Sequence, residues 1–564
     1  MTEKVSEYKY KRADMQKAIE YYDEAIKRLA VAKSAKELAA VREDVNKFLA
    51  EFYTTIEIAM IRHTLDVNDK YYSDEQDYYD ENMPRLSAKH AEYEKALMAS
   101  PHAERLGEVI NPLIVDKIKA GLRVMDERIV EECIEDNKLV TEYDKTLSTL
   151  KYNWRGKTVT LSEMHGFCKD PDREVRKQAF TVIGKTLATV SDKLDDIFDR
   201  MVKVRTAMAK KMGFNSFVEM GDLRIGHIGY GRAEIEVFRS SVLDDVVPAL
   251  KKLKSELAAR LNLDKIHIYD NDNYVAGGNI DPEGSAEELL AAAQRMYDDM
   301  DERLGAFFKE MVAAEAIDYM PRSGKMSGGY AEMLYGYGQP FIFANFNGTM
   351  DDVGVLTHEF GHAYAFKRAH ENKIDFDLSV GGMETAETHS MSMEALCNKY
   401  NEYFYGKRAE QATYQQIFDA FNFLAYGVIV DYFQQLVYEN PDMTPKERKA
   451  LWLKLEAQYR PYVDMSDVPF ICDGGRWQYQ KHIYENPFYY IDYCLSTCLA
   501  LQFGEIAATD FSDALNRYLR LVEAGGTKNI DALAHEAGLK SPFDSGALKD
   551  LCAAVVKHIE KLAE

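Results

Sequence analysis

The sequence predicts a mainly α-helical protein with a small β-sheet inserted past its middle. Three observations carry that expectation. Apolar residues recur at three- and four-residue spacing over most of the chain, helix-capping signals open several segments, and one glycine- and aromatic-rich stretch interrupts the pattern. With 564 residues the chain can bury a large core and would ordinarily divide into more than one folding unit.

In chain order, Met15, Ala18, Ile19, Tyr22, Ile26 and Leu29 mark a first amphipathic helix. A second pattern covers roughly 34–66, and further helices are expected to follow Pro84 and Pro112. "NWRGKTVTL" reads as a short hairpin, and Asp170 before Pro171 as the cap of the next helix. Strand-like aromatics begin "IHIYDNDNY", and Ser285 with Glu288 has capping-box spacing. The segment from Tyr319 to Gly354 holds Pro321, Pro340 and turn-type glycines at 324, 328 and 329, with "FIFANF" (341–346) as its strand. After Thr349 the helical pattern returns, broken by a loop near 372–383 and a Pro/Gly-rich piece at 461–475. Thr444, Pro445 and Glu447 form another capping signal.

The net charge of −23 disfavours a nucleic-acid partner and an anionic membrane. No stretch has the apolar length of a signal core or a transmembrane helix. Seven cysteines are scattered singly, as free thiols in a reducing cytoplasm would be.

The chemical signal is "LTHEFGHAYAF", 356–366. On a helix, His358 and His362 share one face a turn apart, so both imidazoles can address one zinc ion. Glu359 lies about 100° around the helix, beside the site and off the ligand face, where it can act as a base on a metal-activated water. Gly361 permits close approach of another segment. A catalytic zinc usually has a third protein ligand. "VGGMETAETHSMSMEAL" offers Glu384, Glu387, His389 and Glu394. Glu387 and Glu394 share a helix face around Ser390; one can bind zinc and the other hold a ligand histidine, and spacing leaves the assignment open.

"HEFGHA" together with "ETHSMSME" resembles the oligoendopeptidase F and thimet oligopeptidase family of zinc metallopeptidases, and "PFIFANFNGTMDDVGVLTHEFGHA" is similar to its bacterial oligoendopeptidase branch. The resemblance implies a multi-helical zincin-type fold: two helical halves flanking a deep substrate channel, with a small sheet near the active site. It implies an N-terminal domain, 1–200, forming one wall or lid, and a catalytic domain, 201–564. It makes Glu387 the third ligand and Glu394 a supporting carboxylate, with one Zn2+ per chain. Within "GGRWQYQKHIYENPFYYIDYCLS" it points to His482, Tyr490 and Tyr493 as donors to the oxyanion that develops on the attacked carbonyl. Lys481 and Asn486 depart from the family pattern there.

The expected reaction is hydrolysis of internal bonds in short, unstructured peptides, with Glu359 as general base. Substrate would add as a strand against "FIFANF". A dipeptidyl carboxypeptidase or carboxypeptidase of similar fold is the alternative, with Arg476 or Lys481 receiving the substrate carboxylate. A non-catalytic peptide-binding protein is the second. No obligate protein partner is implied.

Overall fold

The computed structural model describes residues 3–379 and 381–563. Four helices open the chain: α1 (Met15–Val31), α2 (Ala35–Leu65), α3 (Lys70–Met98) and α4 (Pro112–Val124). Ser34 caps α2 by accepting from the Glu37 amide, and Pro112 occupies the first turn of α4. Pro84 lies inside α3 instead of starting a helix. The apolar stripes of α1–α4 make their own core, which Leu378 joins.

The expected hairpin is β1 (Tyr152–Trp154) paired antiparallel with β2 (Lys157–Val159). Helix α5 (Arg173–Ala188) is capped by Asp172, two residues after the expected Asp170, because the Asp172 carboxylate is the one that accepts from the Glu174 amide. Helix α6 (Phe217–Ile225) follows. The aromatic "IHIYD" segment forms only the two-residue β3 (Ile266–His267). The Ser285–Glu288 capping box opens α7 (Ala286–Met300).

The interrupted stretch supplies β4 (Ile317–Asp318), β5 (Tyr330–Leu334) and β6 (Gln339–Phe343), in the spatial order β4–β6–β5. β6 pairs parallel with β4 and antiparallel with β5, Glu332 facing Phe341 in register. Both edges of β6 are therefore occupied and it cannot take an added substrate strand. The edge strands are the two-residue β4 and the longer β5. The apolar run that made "FIFANF" conspicuous is the mark of a central strand buried on both faces.

Next come α8 (Met350–Glu371) and α9 (Met383–Cys397), packed against each other. Helix α10 (Ala409–Glu439) precedes α11 (Pro445–Tyr459), which opens with the Thr444–Glu447 capping box. β7 (Val463–Asp464) pairs with β3. A short helix, α12 (Lys481–Glu485), leads to α13 (Tyr490–Ala507), which lies against α9 and α10. The protein is thus predominantly helical with small sheets, in a two-lobed arrangement.

Candidate functional site

Helices α8 and α9 approach closely because Gly361 has no side chain. A Cβ there would lie 2.7 Å from Ser390 Cα and 2.8 Å from the His389 carbonyl oxygen. This contact brings the histidine face of α8 to the Glu387 face of α9. Nε2 of His358 stands 3.2 Å from Glu387 Oε2, and Nε2 of His362 stands 3.5 Å from the same atom. Zinc bonds of about 2.0–2.2 Å in a tetrahedron separate their ligand atoms by about 3.3–3.5 Å. The donor set and its spacing therefore fit a zinc ion, and the three residues form a convergent metal-ligating cluster among the described residues.

The surrounding hydrogen bonds orient this set. His358 Nδ1 is 2.7 Å from Glu394 Oε1, so the ring donates there and presents Nε2 toward Glu387, the position from which it can ligate a metal. Ser390 Oγ donates to Glu387 Oε2 at 3.0 Å, and the Tyr489 phenol donates to Glu387 Oε1. Burial works against charge on His358, but Glu387 and Glu394 outweigh it and raise its pKa well above the ordinary histidine value. Burial likewise opposes charge on Glu387, and the two histidines overcome it and lower its pKa. The cradle favours positive charge. Glu384 lies one turn away on α9, where burial and the charge of Asp492 raise its carboxyl to about 7. His389 points into the core, and neither of its ring nitrogens has a hydrogen-bond partner among the described residues.

Glu359 is buried on α8 beside the two histidines, and its Oε2 has no hydrogen-bond partner among the described residues. Burial raises its carboxyl above the usual range. Gly329, just before β5, borders it: a Cβ there would sit 2.8 Å from Val355 Cγ1 and 3.4 Å from Glu359 Oε1. The bare backbone at 329 thus brings the edge strand to the carboxylate.

His482, Tyr490 and Tyr493 are brought together, with Tyr489 among them. The His482 ring is 4.9 Å from Tyr490 and 5.7 Å from Tyr493, and Tyr489 is 4.8 Å from Tyr493. Tyr490 also packs on Phe423 and Tyr426. Burial and the neighbouring Lys481 lower the His482 pKa to about 4, so its imidazole is neutral. The Tyr426 hydroxyl donates to Gln480 Oε1 at 2.7 Å, which turns the amide nitrogen of Gln480 toward His482 Nδ1 at 3.1 Å. The His482 proton is then on Nε2, available for donation. Of the two cations weighed for a substrate carboxylate, Lys481 is 3.3 Å from both Asp144 and Glu485, and Arg476 lies 4.6 Å over the Tyr426 ring.

Sequence reasoning did not assign the Tyr489–Glu387 bond or the Tyr426–Gln480–His482 relay. The tyrosine cluster pointed at Tyr489 without showing which ring faces α9. Tyr426 is 54 residues from Gln480, and no local pattern connects them.

Comparison with known proteins agrees with this geometry. The Peptidase M3 N-terminal domain pattern matches residues 5–125, and the Peptidase family M3 pattern matches residues 167–552. Oligopeptidase PepF of Bacillus subtilis (strain 168) is 23% identical over 433 residues; the match covers 72% of this chain, which spans 60% of that curated relative's length. Among solved structures, Pz peptidase A with an inhibitor is 35% identical with a TM-score of 0.95, 99% of each chain being covered. A candidate oligoendopeptidase F of Bacillus anthracis str. Ames is 32% identical with a TM-score of 0.89, covering 99% of this chain and 98% of that one. The family match includes His358, His362 and Glu387 within its span and extends through most of the sequence, so the chain belongs to peptidase family M3.

Proposed function

We propose that the protein is a zinc-dependent endopeptidase acting on short, unstructured peptides. The observation that carries this reading is the convergence of His358, His362 and Glu387, with Glu359 beside them, its Oε2 without a hydrogen-bond partner among the described residues. His358, His362 and Glu387 would hold a zinc ion, which would supply the Lewis acidity that lowers the pKa of a water and polarises the scissile carbonyl. Glu359 accepts the proton of the attacking water and delivers it to the leaving amine. Neutral His482 donates from Nε2, and Tyr493 or Tyr490 from its phenol, to the oxygen that becomes negative. Glu394 and Tyr489 hold His358 and Glu387 in place. Substrate lies along the free edge of β5, its main chain paired and its side chains loosely selected.

In this reading helices of the segment 1–200 form one wall of the substrate channel and 201–564 carries the chemistry. Enclosure by both limits access to flexible chains. We place the protein in the cytoplasm: its seven cysteines are free, and no helix among the described residues is long and apolar enough to cross a membrane.

The test is metal analysis with peptide digestion. The purified protein binds about one zinc per chain, loses turnover on chelation and regains it with zinc. Peptides with free and amidated C-termini are cut internally at similar rates, while folded proteins resist. Dependence on a free C-terminus would turn the reading toward the carboxypeptidase, and zinc-independent hydrolysis would refute it.

A further inference from the structure

Two glutamates outside the metal cradle face each other without a salt-bridge partner among the described residues. Helix α2 runs along β5 and is tied to its first residue and to the turn that follows it. Thr54 Oγ1 accepts from the Gly336 amide at 2.8 Å, and Thr64 Oγ1 lies 2.6 Å from the Tyr330 hydroxyl. Glu57 falls between these anchors, three residues after Thr54 and seven before Thr64, on the helix face that meets the strand. Glu332 is two residues from Tyr330 in β5 and so projects to the same side. The carboxylates oppose each other across the seam between helix and strand.

Neither forms an ion pair among the described residues. Among the described residues Glu57 Oε2 is buried without a hydrogen-bond partner, and Glu332 accepts only from its neighbour's amide, Met333 N, at 2.9 Å. Nearby acids are treated differently: Asp375 and Asp377 both meet the Arg42 guanidinium. Burial raises the Glu57 carboxyl well above its ordinary value, and the charge of Glu332 adds to the effect. Tyr53, Tyr330 and Tyr335 lie within electrostatic reach of Glu57. His362, a metal-cradle residue, lies close enough for its charge to act on Glu332. The pair thus sits at the seam between α2 and the substrate-pairing edge strand, next to the reaction centre. Unpaired acids held out of water cost stability, and such a cost is characteristic of a place kept for a ligand.

We propose that Glu57 and Glu332 form a subsite for a cationic nitrogen of the substrate, either a lysine or arginine side chain or the N-terminal ammonium. This rests on the peptidase reading above and adds a preference to it. Charge-assisted hydrogen bonds to the two carboxylates bind the cation, and the flanking tyrosine faces add attraction.

The test scans lysine through each position of a short alanine-rich quenched-fluorescence peptide, with norleucine and glutamate as replacements. Each peptide is made with a free and an acetylated N-terminus, which separates side chain from terminus. The zinc-loaded parent is compared with Glu57→Gln, Glu332→Gln and the double variant. At one position, or at the free terminus, the cation should raise kcat/KM about 10- to 100-fold over its neutral counterpart. That ratio should fall close to unity in the double variant. The variants should also melt higher than the parent, since each replaces a buried acid that has no ion-pair partner with a neutral amide. No cation preference at any position, a preference intact in the double variant, or lower melting in every variant would overturn the subsite. If no peptide is cut, the endopeptidase reading fails separately. Anisotropy of the same labelled peptides then reads the subsite alone, and equal affinities for lysine and norleucine peptides refute it.

Discussion

Gly361→Ala is the substitution on which packing and metal chemistry make a joint prediction. In an ordinary helix this change stabilises by about 1 kcal/mol. Here the new Cβ would stand 2.7 Å from Ser390 Cα and 2.8 Å from the His389 carbonyl oxygen, both backbone atoms that no rotamer change can remove. Ordinary contact begins at 3.4 Å, so α8 and α9 must separate by roughly 0.7 Å. Overpacking typically costs about 1–3 kcal/mol, and an obstruction made of backbone belongs at the upper end. The net effect is a loss of about 1–2 kcal/mol where helix propensity alone predicts a gain. The same opening pulls Glu387 away from His358 and His362. Zinc sites hold their bond lengths within about 0.2 Å, so the cradle must loosen, and zinc affinity should fall about 10- to 100-fold. Thermal unfolding of the zinc-loaded protein and chelator competition measure the two effects. A variant that melts higher than the parent and holds zinc as tightly would refute the account of how the helices meet.

Glu359→Gln should retain zinc and lose about 10²–10⁴-fold in kcat, checked by metal content and steady-state kinetics; unchanged turnover would remove Glu359 from the mechanism. Tyr489→Phe and Tyr493→Phe should separate: the first withdraws a donor from Glu387 and weakens zinc binding about 10-fold or more, while the second lowers kcat and spares zinc, as expected of a bond made only in the transition state. Buried His227 gives a pH prediction. Burial opposes its charge, but Asp492, 2.7 Å from Nε2, and Asp222 prevail and raise its pKa to about 10. An unfolded histidine titrates near about 6.5, so this contribution is complete below that pH and is lost as pH rises through about 10. Denaturant midpoints should therefore fall between neutral and pH 10, and a flat or rising profile would show that His227 is not held protonated.

How much of this was legible depended on whether a group was built within one element or between several. His358, Glu359 and His362 occupy consecutive turns of α8, so helical geometry alone placed them. Glu387 required the family resemblance, because Glu384 lies only one turn away and both are buried. Spacing could not show that Glu387 faces the histidines while Glu384 lies near Asp492 on α13. The strand signal misdirected the substrate site for a physical reason. A central strand is continuously apolar, whereas an edge strand carries polar residues such as Glu332 and reads weakly. Proline suits a first turn, so Pro84 reads as a helix start in the sequence, whereas α3 runs through it.

Two of the cradle's groups sit on one helix and the third on the next, across a segment that includes the Phe376–Leu378 turn. Zinc bound there is a cross-link between consecutive helices as well as a reagent. Its binding energy belongs to the folded chain, because the unfolded chain does not hold His358, His362 and Glu387 in one place. Stability should then follow the free zinc concentration: above the dissociation constant, each tenfold rise adds about 1.4 kcal/mol. A cell poor in zinc would therefore hold fewer folded copies of the enzyme, and metal supply would govern its abundance along with its turnover.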